Sequence, residues 1–263
     1  MSYLNGVMGN RPGLLENRSV IKRENYAVIE PDGLVKNVIP GFEHCETTIL
    51  ASPKLGASFV DYLLHVKPGG ACKDGFGGDG IETFLYVFSG SLRVWNGDGE
   101  TVLTDGGYMF SPEEEALHFV NESEESVRCF LYKRRYDRIE GYAAHTVIGN
   151  IHEVEPVLFE GMENAWMKDF LPAATDLGFD MNFHILSFKP GASHGYIETH
   201  VQEHGAYIYS GKGMYNLDNQ WIPVQKGDYL FMDAYCPQAC YAVGDEEEFA
   251  YIYSKDCNRD ITL

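Results

Sequence analysis

The chain has 263 residues, 44% of them hydrophobic and 13% aromatic, with a formal charge of −19. That length suits one large domain or two of about 130 residues, with ample material for packed cores. The charge argues against a nucleic-acid partner, whose surfaces need Lys and Arg in excess, and no run approaches the roughly 18 apolar residues of a membrane span.

The six cysteines (Cys45, Cys72, Cys129, Cys236, Cys240, Cys257) form no CxxC pair. A chain of this size does not need disulfides, so reduced thiols and a cytoplasmic location are expected. The first residues, MSYLNGVMGNRPGLLENRS, lack the apolar segment of a signal peptide.

Residues 1–45 are rich in Gly, Pro and Asn with short apolar patches such as YAVIEP, and predict an arm with one strand. Over 46–137, TTILA, SFVDYLLHV, ETFLYVFSG, SLRVW, TVLT and YMFS are separated by KPGG, SGS, NGDG and DGG. Short β-rich runs with Gly-rich turns predict an all-β sandwich or barrel. Asn96-Gly97-Asp98-Gly99 predicts a tight hairpin of the primed type, which needs positive φ angles. Residues 138–165, with EGYAAHTVIGNIHEVEPV, predict a linker that is helix-compatible or irregular.

The layout then returns over 166–263. Lys67-Pro68-Gly69 matches Lys189-Pro190-Gly191, Ser89-Gly90 matches Ser210-Gly211, and Tyr108-Met-Phe110 matches Tyr229-Leu-Phe231. Phe130-Leu-Tyr-Lys133 resembles Tyr251-Ile-Tyr-Ser-Lys255. An offset of about 120 residues is too long for a solenoid unit, so the chain is expected to hold two copies of one β domain.

Chemistry concentrates in the second copy. Glu198, His200 and His204 lie an even number of residues apart, so on an extended strand they would share one face. Gln238 follows 34 residues after His204. Two imidazoles, a carboxylate and an amide oxygen make a mixed N/O set that suits Mn²⁺ or Fe²⁺, although affinity order alone would favour Cu or Zn. His194 is expected in a solvent-facing loop, His184 has no comparable company, and Cys236 and Cys240 are expected to fill apolar space.

Glu198-x-His200-x3-His204-x6-Gly211 has the spacing of the first cupin motif, with Glu where a histidine is usual. Gly227-x10-Gln238 has the spacing of the second, with Gln in the place of a third histidine. The whole chain resembles a bicupin, two tandem double-stranded β-helix (jelly-roll) barrels. ETHVQEHGAYIYSGKGMYNLDNQWIPVQKGDYLFM, YIYSKDCNRD, GFGGDGIETFLYVFSG and FLYKRRY further resemble the (S)-ureidoglycine aminohydrolase family, manganese enzymes of purine (allantoin) breakdown. The resemblance implies Mn²⁺ held by Glu198, His200, His204 and Gln238, and release of ammonia from ureidoglycine to give ureidoglycolate. It implies that Lys255 meets the substrate's anionic end and that Tyr215 and Tyr251 line the pocket. Glu198 would also exchange a proton with amine or water.

Carried back into the first copy, Glu198, His200, His204 and Gln238 fall on Gly77, Asp79, Thr83 and His118, which make no competent metal site. The first barrel is therefore expected to pack, shape a pocket or support a homo-oligomer. Two other readings stay open at this point. Two His plus a carboxylate also serve non-haem Fe(II) dioxygenases, and a bicupin can bind a small molecule without catalysis.

Overall fold

The computed structural model describes residues 19–244 and 246–261, with the backbone alone for Asp32. Residues 1–18 of the arm expected over 1–45 therefore lie outside the described residues. The chain divides into two compact units, one of residues 32–54 and 58–153, the other built on 154–261 with 19–31 and 55–57. Among the described residues the regular structure is β strand with three short 3-10 turns, and every strand pair is antiparallel. None of the described helices is long and apolar enough to cross a membrane.

The first unit closes one large sheet around an apolar core. Val127–Arg135 runs between Phe59–Phe76 and Ile81–Ser89. Alternate residues Cys129 and Leu131 point inward with Leu64, Leu85 and Met109, as period-2 side-chain alternation requires. The expected turn at KPGG is absent. Phe59–Phe76 continues through it, and residues 67–70 loop out of the ladder, because Cys45 pairs with Val66 while Glu43 pairs with Ala71. Gly70 has to be glycine there, since a Cβ would stand 2.8 Å from the Lys67 carbonyl oxygen.

The expected hairpin at Asn96–Gly99 is present, joining Leu92–Trp95 to Glu100–Leu103. It is not of the primed type, because neither Gly97 nor Asp98 has a positive φ. The Asn96 side chain takes over instead, its Oδ1 accepting from the Asp98 and Gly99 N–H groups at 3.0 and 3.1 Å. That is the Asx-type capping that makes Asn a turn residue.

Residues 138–165 form no α-helix. Val147–Asn150 pairs with Gly107–Ser111 of the first unit, and the 3-10 turns Ile151–Glu153 and Phe159–Gly161 follow.

The second unit packs an eight-stranded sheet against a three-stranded one. Its core combines Leu186, Ile208, Leu230 and Phe249 with Leu217, Val224 and Ala242 from the smaller sheet. The apolar patch near the N-terminus belongs here. Tyr26–Ile29 is buried along its length and pairs with Tyr229–Met232, extending the larger sheet. KPG does end a strand in this copy, Met181–Phe188 stopping just before Lys189.

Candidate active site and metal centre

The expectation that Glu198, His200 and His204 share one strand face is corrected. Only His204 lies in a regular strand, His204–Ser210. Glu198 makes an isolated bridge with Gln238, each backbone N–H donating to the other's carbonyl at 2.9 Å. His200 sits in the loop between, fixed by the Tyr235 N–H on its carbonyl at 2.7 Å. Asp256 holds the end of this loop by accepting from the Glu203 N–H at 2.8 Å. The donors converge because the loop folds back onto Gln238–Val243, not because of strand alternation.

At the point of convergence the two imidazoles face each other. His204 Nδ1 lies 2.9 Å from the Ser254 carbonyl oxygen, and His200 Nδ1 lies 3.1 Å from that of Gln202. A carbonyl can only accept, so each Nδ1 carries the proton and each Nε2 of a neutral ring presents a lone pair. Those Nε2 atoms are 3.2 Å apart. Two lone pairs at that distance repel unless an electropositive centre sits between them. Burial, reinforced by Lys255, keeps His200 below the ordinary imidazole range. Burial and the neighbouring His200 push His204 well below it.

The amide of Gln238 completes this cluster, its Nε2 3.0 Å from His200 Nε2. Rotation of the amide by half a turn offers its oxygen to the same point. Among the described residues, no three His, Cys, Asp or Glu side chains form a closed metal-binding group. The tight cluster is two imidazoles and an amide, and Glu198 lines the same cavity. Burial pushes the Glu198 carboxyl above the usual range, with Glu160 adding to the rise and Lys255 opposing it. Two facing lone pairs, an amide oxygen and a partly buried carboxylate together fit a hard or borderline divalent cation.

The cavity has a volume of about 70 Å³, several times what one water needs. Its lining brings together all seven residues expected at the site: Glu198, His200, His204, Gln238, Tyr215, Tyr251 and Lys255. The Tyr215 hydroxyl donates to that of Tyr251 at 3.3 Å, and burial holds both phenols well above their ordinary range. Tyr253 also lines the cavity, edge-on to His204 at 5.2 Å and stacked on His184 at 4.9 Å. His184 Nδ1 is 2.5 Å from Asp169 Oδ1, so it has a partner after all, one that supports the ring behind Tyr253.

Two residues missed in the sequence are Glu160 and Tyr196. Glu160, from the stretch read as linker, lines the cavity and accepts from the Tyr196 hydroxyl at 2.5 Å. Neither carries a motif, and no spacing relates them. His194 does not face solvent. Its ring packs edge-on to Phe159 and Phe188, and its Nδ1 accepts from the Cys240 N–H at 2.9 Å. Cys236 and Cys240 are buried free thiols in the core; burial pushes Cys236 up to about 11 and Cys240 higher still.

In the first unit the equivalent positions are filled otherwise. The pairing of Glu198 with Gln238 corresponds to that of Phe76 with Leu117, both buried. The counterpart of Gln238 is therefore Leu117, one residue from the His118 expected. The shift follows from Gly106, whose N–H donates to the Val87 carbonyl as that of Gly227 donates to Ile208. His118 instead stacks on Trp95 at 5.3 Å and 8°.

A family model described as a cupin domain matches residues 184–253. The chain is 60% identical over 264 aligned residues to the (S)-ureidoglycine aminohydrolase of Escherichia coli K12, covering all of both chains. It superposes on the crystal structure of E. coli protein Ylba with a TM-score of 0.86 at 57% identity, covering 96% of this chain and 99% of that one. Oxalate decarboxylase of Bacillus subtilis shares the fold alone, with a TM-score of 0.66 at 12% identity over 95% of this chain and 80% of that one. Two cupin barrels in tandem are the architecture, and the chain belongs to the (S)-ureidoglycine aminohydrolase family.

Proposed function

We propose that the cavity of the second unit converts (S)-ureidoglycine and water to (S)-ureidoglycolate and ammonia. The observation that carries this reading is the pair of imidazole Nε2 atoms facing each other at 3.2 Å in a cavity that also holds Glu198, Gln238 and Lys255.

His200, His204, Gln238 and Glu198 are the residues that would hold a divalent cation, Mn²⁺ by the family reading. When bound, the cation would supply Lewis-acid anchoring of the substrate's carboxylate. The chain's own residues do the rest. Lys255 offers its ammonium to the carboxylate, and its charge is felt at Glu198, His200 and His204. Tyr215 and Tyr251, tied to each other and too deeply buried to ionise, shape the wall. Glu198 accepts a proton from water as the water oxygen displaces the ammonium nitrogen from the central carbon, the C–N bond breaking and ammonia leaving, and then gives that proton up to ammonia or solvent. Atoms balance: one water enters and one ammonia departs.

The donors absent from Phe76 and Leu117 make the first barrel a structural copy in this scheme. Among the described residues Val20–Lys22 is an exposed edge strand of the second unit, which supports a homo-oligomer, since sheet edges invite pairing. Six free cysteines favour a reducing compartment such as the cytoplasm.

The test pairs elemental analysis of purified protein with an ammonia assay on freshly made ureidoglycine under argon. Stoichiometric metal and oxygen-independent ammonia release are expected. Oxygen consumption without ammonia would establish a dioxygenase instead.

A further inference from the structure

The cavity holds a carboxylate that the scheme above leaves idle. Glu160 lies in the 3-10 turn Phe159–Gly161 with φ 48 and ψ 32, in the left-handed region. That region is unfavourable for a residue with a Cβ, and Gly or Asn would sit there at ease. The side chain is exposed, so no packing requires it. Tyr196, itself 54% exposed, donates its hydroxyl to Glu160 Oε2 and holds the carboxylate at the cavity. Its charge reaches inward, acting on Glu198 and Tyr253. A strained backbone that fixes a charged group at a pocket is where function is to be sought.

The groups of the reaction suggest the task. Substrate and product share the carboxylate and the ureido arm, and differ only where an amine becomes a hydroxyl. Lys255 meets the shared carboxylate and cannot tell the two apart. Glu198 is occupied with proton transfer. We propose that Glu160, oriented by Tyr196, is a specificity-determining residue whose carboxylate binds the substrate's amine and disfavours the hydroxy-acid product. An ammonium gives a charge-assisted hydrogen bond to this carboxylate, stronger than a hydroxyl can give. The product has also lost the compensating positive charge, so its net negative charge is repelled and its release favoured. This inference rests on the ureidoglycine reading.

Asparagine is a stable isostere of ureidoglycine with CH₂ in place of the ureido NH, and its 2-hydroxy analogue is the matching isostere of the product. Calorimetry on metal-loaded protein would measure both ligands, each as separate enantiomers, against wild type, Glu160→Gln and Tyr196→Phe. Wild type is expected to prefer the amine by at least about tenfold, the scale of one charge-assisted bond. Glu160→Gln should bring the pair within about twofold by losing that bond, and Tyr196→Phe should fall between. A preference retained in Glu160→Gln, an equal loss for both ligands, or no preference in wild type would overturn the proposal. Ammonia release by wild type tests the reaction separately. Its failure alongside an intact amine preference would sink the reaction and leave the subsite standing.

Discussion

His194 offers a quantitative test of the packing behind the active site. Burial lowers its pKa from 6.5 to about 4, with Glu160 opposing the shift. Its Nδ1 accepts from the Cys240 N–H, so protonation would set a donor against a donor. The sign follows directly. Below the unfolded value the denatured chain binds the proton and the native chain does not, so stability present above about pH 6.5 is lost on acidification. With the two values 6.5 and about 4, the loss between pH 8 and pH 5 is about 2 kcal/mol, approaching about 3 kcal/mol at lower pH. His194→Gln keeps an acceptor for the Cys240 N–H and cannot titrate. It should be less stable than wild type at pH 8, because it loses the ring contacts with Phe159 and Phe188. Urea unfolding of both proteins at pH 8 and pH 5 should show that gap closing by about 2 kcal/mol. A gap that stays constant would refute the account of His194 as a buried neutral ring.

Three further outcomes follow from the cavity. Glu198→Gln should lower kcat by about 10²- to 10⁴-fold, the range of general acid–base catalysis, in a single-turnover ammonia assay. Lys255→Met should raise KM by about 10- to 100-fold by removing a charge-assisted bond to the carboxylate, with a smaller change in kcat; equal effects on both would move Lys255 into the chemical step. Glu160→Gly should raise stability by about 1 kcal/mol, since glycine occupies the left-handed region freely, and urea midpoints would register a strain-free turn as no gain.

The sequence carried the architecture well because its signals were local. Period-2 runs and Gly-rich punctuation sufficed for the strands, and the recurring KPG, SG and YxF marks sufficed for the repeat. It failed where a local signal had two structural outcomes. KPGG loops out of a continuing strand at residues 67–70, whereas KPG at 189–191 ends one. The shared tripeptide permits both, and the loop-out also needs Gly70, where the second copy has Ala192. The site shows a similar split. Glu198, His200, His204 and Gln238 were visible by spacing, yet for the wrong geometric reason, since three of them converge through a loop and a bridge. Glu160 and Tyr196 were invisible, because a hydrogen bond across 36 residues of chain leaves no periodic trace.

The two copies show what a shared frame leaves free. Lys133 occupies in the first unit the place of Lys255 in the second, as FLYK and YIYSK align. There it lies over the Phe76 ring at 5.0 Å, whereas Lys255 exerts its charge on Glu198, the counterpart of Phe76. A cation–π contact stands where the second unit sets the charge of Lys255 on Glu198, and Leu117 takes the place of Gln238. The first unit thus fills the end of its barrel with apolar side chains, the arrangement that stabilises at least cost in desolvation. The second unit keeps that end open and polar, with two lone pairs opposed at 3.2 Å. Such a contact lowers the stability of the bare fold, and a cation held between the two nitrogens would relieve it. At Phe76 and Leu117 the first copy buries apolar side chains where the second places Glu198 and Gln238, so one shared frame leaves the two barrel ends free to differ.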